Sequence, residues 1–210
     1  MSKDTLYLAS GSAQRKLLLE QAKINFKVIN HGADEATIIF DNNNFKNYVL
    51  NIAQEKLKHA NLHEIKNVQE GQIIFVLSAD TLVYTHKTAH ILGKPKDIND
   101  AKNMLKIMRD QLVDASTGCC LEKKVFKNNS WQTLDKNYWV TTSQVEFIVQ
   151  DQDFDTYFIN LPQALNSASS GIIENYGQRF CKTINGSYSN IIGLPIFELV
   201  QALQKMQFKF

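Results

Sequence analysis

Cysteine, proline and long apolar runs are scarce in this sequence, and each shortage excludes a class of protein. Only three cysteines and three prolines occur in 210 residues. The odd cysteine count, with Cys119 next to Cys120, fits neither a disulfide framework nor zinc-ligand spacing and indicates a reducing compartment. No apolar run reaches the roughly 18 to 20 residues that span a bilayer. The N-terminus lacks the apolar core of a secretion signal, so we expect a cytoplasmic protein without membrane contact.

An excess of charge of either sign is also missing. The net charge is +2, so no general attraction to polymeric nucleic acid or to anionic membranes is expected. Any anion-binding site must therefore be local. The hydrophobic content of 44% is enough for one domain with a sizeable core, or for two small lobes.

Helix-like and strand-like segments interleave, and long strands follow one another between residues 111 and 149. This order predicts an α/β fold with a mixed sheet rather than a strictly parallel repeat. The predicted strands are 5–9, 26–30, 72–80, a hairpin over 82–93, and then 111–122 and 131–149, with a turn over 126–132. The predicted helices are 12–23, 45–65, 97–108, 151–160 and 195–206.

The stretch "LASGSAQRKLLLE" joins the first predicted strand to the first predicted helix. A turn of small residues before a helix start presents free backbone N–H groups and the positive end of the helix dipole. Ser10 and Ser12 add hydroxyl donors, and Arg15 and Lys16 add charge. The stretch suits a phosphate, although it is not a Walker loop. The alternative is a capped surface helix with solvated cations.

Three further stretches carry charged residues in positions suited to a site. In "SADT", Asp80 follows a buried strand, where α/β sheets bind ligands, and it is a candidate metal ligand or water-positioning group; it is alternatively a turn cap. In "LGKPK", a rigid turn holds Lys94, which suits phosphate oxygens or is simply solvated. In "HGADEATI", Glu35 is a candidate second carboxylate or part of an acidic loop.

Taken together, several stretches resemble the Maf family of septum-formation-inhibitor-like nucleoside triphosphate pyrophosphatases. The matching stretches occur in the family's order across residues 5 to 203. They read "LASGSAQRKLLLE", "ADE", "AQEKL", "SADT", "ILGKPKD", "STG" and "INGSYSNIIGLP".

The resemblance implies one Maf-like domain over residues 1–210, similar to the Ham1/inosine triphosphatase architecture. That architecture has a mixed twisted sheet and two lobes around a central cleft. The resemblance also implies hydrolysis of a nucleoside triphosphate to a monophosphate and pyrophosphate, dependence on a divalent cation (Mg²⁺ or Mn²⁺), and a possible homodimer.

Site residues follow from the same resemblance, position by position. Asp80 matches the catalytic carboxylate, and Asp80 with Glu35 would hold the metal and act on the attacking water. The phosphate-binding residues would be Ser10, Ser12, Arg15, Lys56 and Lys94. Glu174 falls at a base-recognition position, where the branch that acts on 7-methylguanosine triphosphate has Glu.

Two departures from the family pattern leave questions open. The family turn Ser-x-Ser-Pro-Arg-Arg has Ala13 and Gln14 here in place of Pro and the first Arg, so one cation is missing. "SADT" and "GSYSN" resemble the dTTP/UTP branch, whereas Glu174 resembles the methylguanosine branch, and the base therefore stays open. A nucleotide-binding regulator of cell division without turnover, or a metal-dependent phosphoesterase acting on another phosphate compound, are the alternative functions.

Overall fold

β-Branched and aromatic residues build the strands of this protein, whose computed structural model describes residues 3–34, 38, 40 and 44–210. Glu35 lies outside the described residues, so the predictions about it are not addressed by the structure. The strands are β1 (Leu6–Ala9), β2 (Phe26–Ile29), β3 (Ile73–Thr85), β4 (His90–Leu92), β5 (Leu112–Lys127), β6 (Ser130–Phe147) and β7 (Cys181–Asn185).

The seven strands form an open sheet of mixed direction. Their order is β2-β1-β3-β5-β6-β7, and β4 pairs with β3. β1 runs parallel to both β2 and β3, whereas β4 is antiparallel to β3 and β7 is antiparallel to β6. The predicted α/β class with a mixed sheet is confirmed.

Three of the described helices, α1, α2 and α3, begin at a side-chain cap that the sequence supplies. The helices are α1 (Ala13–Gln21), α2 (Phe45–Lys58), α3 (Ile98–Met108), α4 (Phe154–Asn160), α5 (Tyr188–Ile192) and α6 (Ile196–Lys205). Ser12 caps α1 by accepting from the backbone N–H of Arg15, and Asp97 caps α3 in the same way through the N–H groups of Asn99 and Asp100. Such caps satisfy donors that have no partner within the helix.

Three predicted boundaries are wrong, each for a local reason. β3 does not end at Asp80 but continues to Thr85, because its last residues pair with β4. α2 ends at Lys58 rather than at residue 65, since the following chain forms a bridge between His31 and Ala60. The predicted turn over 126–132 is only the pair Asn128 and Asn129, with φ values of 52° and 58°. Two left-handed residues are what a tight hairpin requires.

The chain divides into two compact units. The first takes its described residues from 1–80, 118–140 and 193–210, and the second consists of 81–117 and 141–192. The first has a core that includes Tyr7, Ala53 and Val76. The second has an aromatic-rich core that includes Phe147 and Tyr157. Among the described helices, none has the length and apolar character that crossing a bilayer requires.

Candidate active site

The turn between β1 and α1, in the first unit, is held by a network of hydrogen bonds. The guanidinium group of Arg15 donates from Nη1 to Ser10 Oγ at 3.1 Å and from Nε to the carbonyl of Gly193 at 2.8 Å. Ser10 Oγ also accepts from the backbone N–H of Ser12 at 3.3 Å. Ser10 and Arg15 are only 4% and 7% exposed. A serine hydroxyl that accepts from two donors still has its own proton to give, which suits an anion.

A buried ion pair joins α2 to β3 in the same unit. Lys56 Nζ lies 2.6 Å from Asp80 Oδ1, and the two side chains are 8% and 11% exposed. Removing two charges from water is expensive, and a buried pair is weak evidence for stability. A chemical role for the pair stays a prediction.

The register of the parallel strands β1 and β3 brings the turn after β1 and the Lys56–Asp80 pair to the same edge of the sheet. Leu8 on β1 lies opposite Leu77 on β3. Continuing that register by one residue sets the end of β1 beside Ser78, and the turn that begins at Ser10 starts there. The predicted residues Ser10, Ser12, Arg15, Lys56 and Asp80 thus lie around neighbouring strands of one unit.

Two residues that sequence reasoning left without a role hold α2 against the sheet. Ser78 donates from Oγ to the carbonyl of Ala53 at 2.6 Å. Ala53 lies three residues before Lys56 on α2, and Ser78 lies two residues before Asp80 on β3. A Cβ atom added at Gly118 would lie 2.7 Å from the carbonyl oxygen of Val49, so α2 packs directly on the backbone of β5. Ser78 lies in the family-like stretch "SADT" and Gly118 in the family-like stretch "STG". Their positions in these stretches are the sequence signal that could have identified them.

Lys94 and Glu174 belong to the second unit. Lys94 is exposed on the turn after β4. Glu174 is half-buried, and burial raises the pKa of its carboxyl group, while hydrogen bonds from its own N–H and from that of Ile173 act in the opposite direction. The roles predicted for these two residues stay predictions.

Two of the three cysteines are unsuited to act as nucleophiles. Cys119 and Cys120 are completely buried. Burial raises the pKa of both thiols, and at Cys119 the charge of Arg15 opposes that rise. A thiol held in its protonated form is inert as a nucleophile.

The donor atoms of the first unit fit one way of holding a divalent cation. No cluster of three or more possible ligands occurs among the residues that the structure describes. Asp80 commits Oδ1 to Lys56, and none of the described residues donates a hydrogen bond to its Oδ2. Mg²⁺ is commonly held by one or two carboxylates together with substrate phosphates rather than by a cage of protein ligands. Asp80 fits that mode.

Fold and side chains together define a class: an α/β protein with a cationic, hydroxyl-rich turn after β1 and a buried Lys–Asp ion pair between α2 and the neighbouring parallel strand β3. Comparison with known proteins makes the class specific. The sequence profile of the family described as Maf-like protein matches residues 5–206. The chain belongs to the Maf-like protein family.

Several curated relatives cover nearly the whole chain. The chain is 32% identical over 203 residues to the "dTTP/UTP pyrophosphatase" of Acholeplasma laidlawii, with 95% of each chain covered. It is 32% identical over 204 residues to the enzyme of that name from Fusobacterium nucleatum, with 97% of this chain and 96% of that protein covered. For Ruminiclostridium cellulolyticum the identity is 33% over 205 residues, with 97% of each covered.

Proposed function

We propose that this protein is a nucleoside triphosphate pyrophosphatase that acts on pyrimidine nucleotides. It hydrolyses the α–β phosphoanhydride bond of dTTP or UTP to a monophosphate and pyrophosphate. The observation that carries the proposal is the buried Lys56–Asp80 pair, 2.6 Å between Nζ and Oδ1, next to the Ser10–Arg15 turn. Full-length relatives named dTTP/UTP pyrophosphatase support the substrate class. These names do not favour a regulator without turnover.

Asp80 is the acid–base residue of the proposed reaction. Its Oδ1 is fixed by Lys56, so Oδ2 is the oxygen left to hold the cation or to orient the attacking water, and Asp80 or Glu35 accepts the proton of that water. As water adds, the α–β bond breaks and pyrophosphate leaves. Glu35 is the second carboxylate that the resemblance implies, either beside Asp80 on the water or on the metal.

The charged turn and the lysines bind the triphosphate. Ser10 and Ser12 donate their hydroxyl protons to phosphate oxygens, and Arg15 holds Ser10 Oγ in place while adding its charge. Lys56 contributes a second cation; an ammonium group has three donors, so its bond to Asp80 does not prevent a phosphate contact. Lys94 adds a third. Holding the polyanion in one geometry is the main task in such reactions.

The enzyme is metal-dependent, as the family generally is, and we propose Mg²⁺ or Mn²⁺ held by Asp80 and Glu35. When bound, the cation supplies neutralisation of the charge on the phosphate oxygens.

Glu174 is the residue that we propose to face the base. A carboxylate accepts hydrogen bonds from N–H groups, whereas a pyrimidine ring also presents carbonyl oxygens. The ring N–H group of uracil or thymine is the group from which such a carboxylate can accept.

A panel of triphosphates tests the proposal. The purified protein is incubated with dTTP, UTP, CTP, GTP and 7-methyl-GTP in Mg²⁺, in Mn²⁺ and in a chelator, and pyrophosphate and orthophosphate are measured separately. We expect pyrophosphate and monophosphate from dTTP and UTP, and none in the chelator.

The other outcomes are equally informative. Orthophosphate alone would indicate the metal-dependent phosphoesterase, and nucleotide binding without any product would indicate the regulator. Preferential turnover of 7-methyl-GTP would overturn the pyrimidine assignment while keeping the reaction. Each of these results contradicts a separate part of the proposal.

A further inference from the structure

A strained segment of the second unit connects two of the predicted substrate-binding residues. Ser169 and Ser170 are consecutive, and their φ values are 57° and 59°. Both are buried, at 2% and 0% exposure. The left-handed region is unfavourable for any residue with a Cβ atom, and two such residues in succession must be held by their surroundings.

Tyr157 on α4 keeps Ser169 and Ser170 in this conformation. Its hydroxyl group donates to the carbonyl of Ser170 at 2.7 Å and accepts from the backbone N–H of Ile172 at 3.0 Å. Tyr157 is completely buried, and its ring packs edge-on against Phe180 at a centroid distance of 5.4 Å. Burial raises the pKa of the phenol, so the proton that bonds to Ser170 stays in place.

The held segment touches the Lys94 turn at one end. The backbone N–H of Ser169 donates to the carbonyl of Gly93 at 2.7 Å, one residue before Lys94. The conformation of Ser169 therefore fixes the carbonyl from which the Lys94 turn begins.

The other end of the segment leads into Glu174. The carbonyl of Glu174 accepts from the N–H of Gly177 at 2.9 Å. A Cβ atom at Gly177 would lie 1.7 Å from the carbonyl oxygen of Ile172, so the backbone closes tightly behind Glu174. The chain is thus fixed on both sides of this residue, by Tyr157 before it and by Gly177 after it.

The segment is poorly suited to a purely stabilising role. Besides its two left-handed residues, it buries the hydroxyl of Ser170, which has no hydrogen-bond partner among the described residues. A buried polar group without a partner is unfavourable, and backbone strain of this kind concentrates at ligand-binding sites.

We propose that Tyr157 is a positioning residue for the nucleotide reaction, whose hydroxyl group holds Ser169 and Ser170 in place and so fixes Lys94 and Glu174. This inference rests on the proposed function. Tyr157 does not contact the reacting atoms; it acts through the backbone.

The test is Tyr157→Phe, which removes the hydroxyl group and keeps the ring. Lys94 and Glu174 would bind substrate and transition state alike, so their displacement should raise KM more than it lowers kcat. We expect KM for dTTP to rise about tenfold, with kcat changed less than about twofold. Amide exchange at Ser169 and Ile172 should also become faster in the variant, independently of turnover.

Tyr138→Phe is the matched control. It removes a different phenol hydroxyl, that of the partly buried Tyr138, which donates to Glu122 in the first unit. The variant should leave both kinetic constants within about twofold of the parent. A second variant, Tyr157→Phe with Ser170→Gly, should reverse part of the rise in KM, because glycine adopts positive φ without the steric penalty.

The results separate the inference from the function on which it rests. A parent protein that releases no pyrophosphate from any triphosphate overturns the proposed function and the positioning role together. An active parent whose KM is unaffected by Tyr157→Phe overturns the positioning role alone. So does a Tyr157→Phe protein that is unfolded at the assay temperature while Tyr138→Phe is folded, since the hydroxyl would then be a requirement for folding.

Discussion

In the first unit Lys56 and Asp80 lie within a regular helix and a regular strand, whereas in the second unit Lys94 and Glu174 stand on loops. The helix and the strand are fixed by backbone hydrogen bonds and by the contacts of Ser78 and Gly118. The loops are fixed by the hydroxyl group of Tyr157 and by a tightly packed glycine. Regular elements position a buried charge rigidly; loops need dedicated side-chain contacts to do the same.

The segments that carry the predicted site residues in the two units also differ in their unfavourable features. The first buries two charges and satisfies each with the other. The second accepts left-handed backbone at two serines, and a hydroxyl that has no partner in the described part of the chain. Either arrangement is expensive for folding, and we infer that both are retained for chemistry. The predictions below test that difference.

Breaking the ion pair should have the largest effect on stability. Lys56→Met leaves Asp80 buried without its partner, and losses of about 3–5 kcal/mol are typical of such changes. Chemical denaturation measures the free energy of unfolding. The double variant Lys56→Met/Asp80→Leu, which buries no charge, should recover most of that loss while remaining inactive. A double variant no more stable than the single one would contradict the view that the pair is costly.

Removing the negative charge of Asp80 should have the largest effect on turnover. Asp80→Asn keeps the shape but cannot accept a proton, and we expect kcat for pyrophosphate release to fall about 10²- to 10³-fold. Thermal unfolding of the same sample shows what fraction is folded. Asp135→Asn, at an exposed position of the first unit, is the control and should retain full activity. Unchanged release by Asp80→Asn would refute its role.

Filling the contact between α2 and β5 should have an intermediate effect. Gly118→Ala places a methyl group 2.7 Å from the carbonyl oxygen of Val49, and overpacking of this kind costs about 1–3 kcal/mol. Because α2 carries Lys56, kcat should fall as well. Gly32→Ala is the matched control, since no atom of the described residues lies within 4 Å of an added Cβ there. Equal melting temperatures of the two variants would show that the contact is not tight.

The smallest expected effect concerns Glu174 and depends on pH. Its folded-state pKa is raised above the ordinary value of 4.5, so its contribution to stability is fully present below that value. The contribution is lost as pH rises through the folded-state pKa. Glu174→Gln should therefore have the same melting temperature as the parent at about pH 4 and a higher melting temperature at about pH 8.

An exposed glutamate provides the comparison for this measurement. Glu20→Gln on α1 should change the melting temperature by the same small amount at both pH values. A Glu174→Gln protein that is less stable than the parent at the higher pH would mean that the carboxylate, rather than the carboxylic acid, is the favoured form in the folded protein.

Local patterns predicted most of the fold. Apolar runs identified β1, β2 and β3, and the polar residues at Ser12 and Asp97 identified helix starts, because period and capping act over a few residues. The end of β3 was missed because Asp80 reads as a strand terminus, while pairing with β4 carries the strand to Thr85. β7 and the left-handed serines left no local signal, since both depend on contacts with distant segments.

The sequence alone determined the class of fold, the Maf-like family and a set of charged residues at motif positions. It could do so because strand and helix periods, caps and motif spacing are properties of neighbouring residues. Only the tertiary structure decided that Lys56 and Asp80 form a buried pair, that Ser78 and Gly118 dock α2, and that Tyr157 holds the segment before Glu174. These contacts join residues far apart in the chain, and burial, which sets their energies, exists only once the chain has folded.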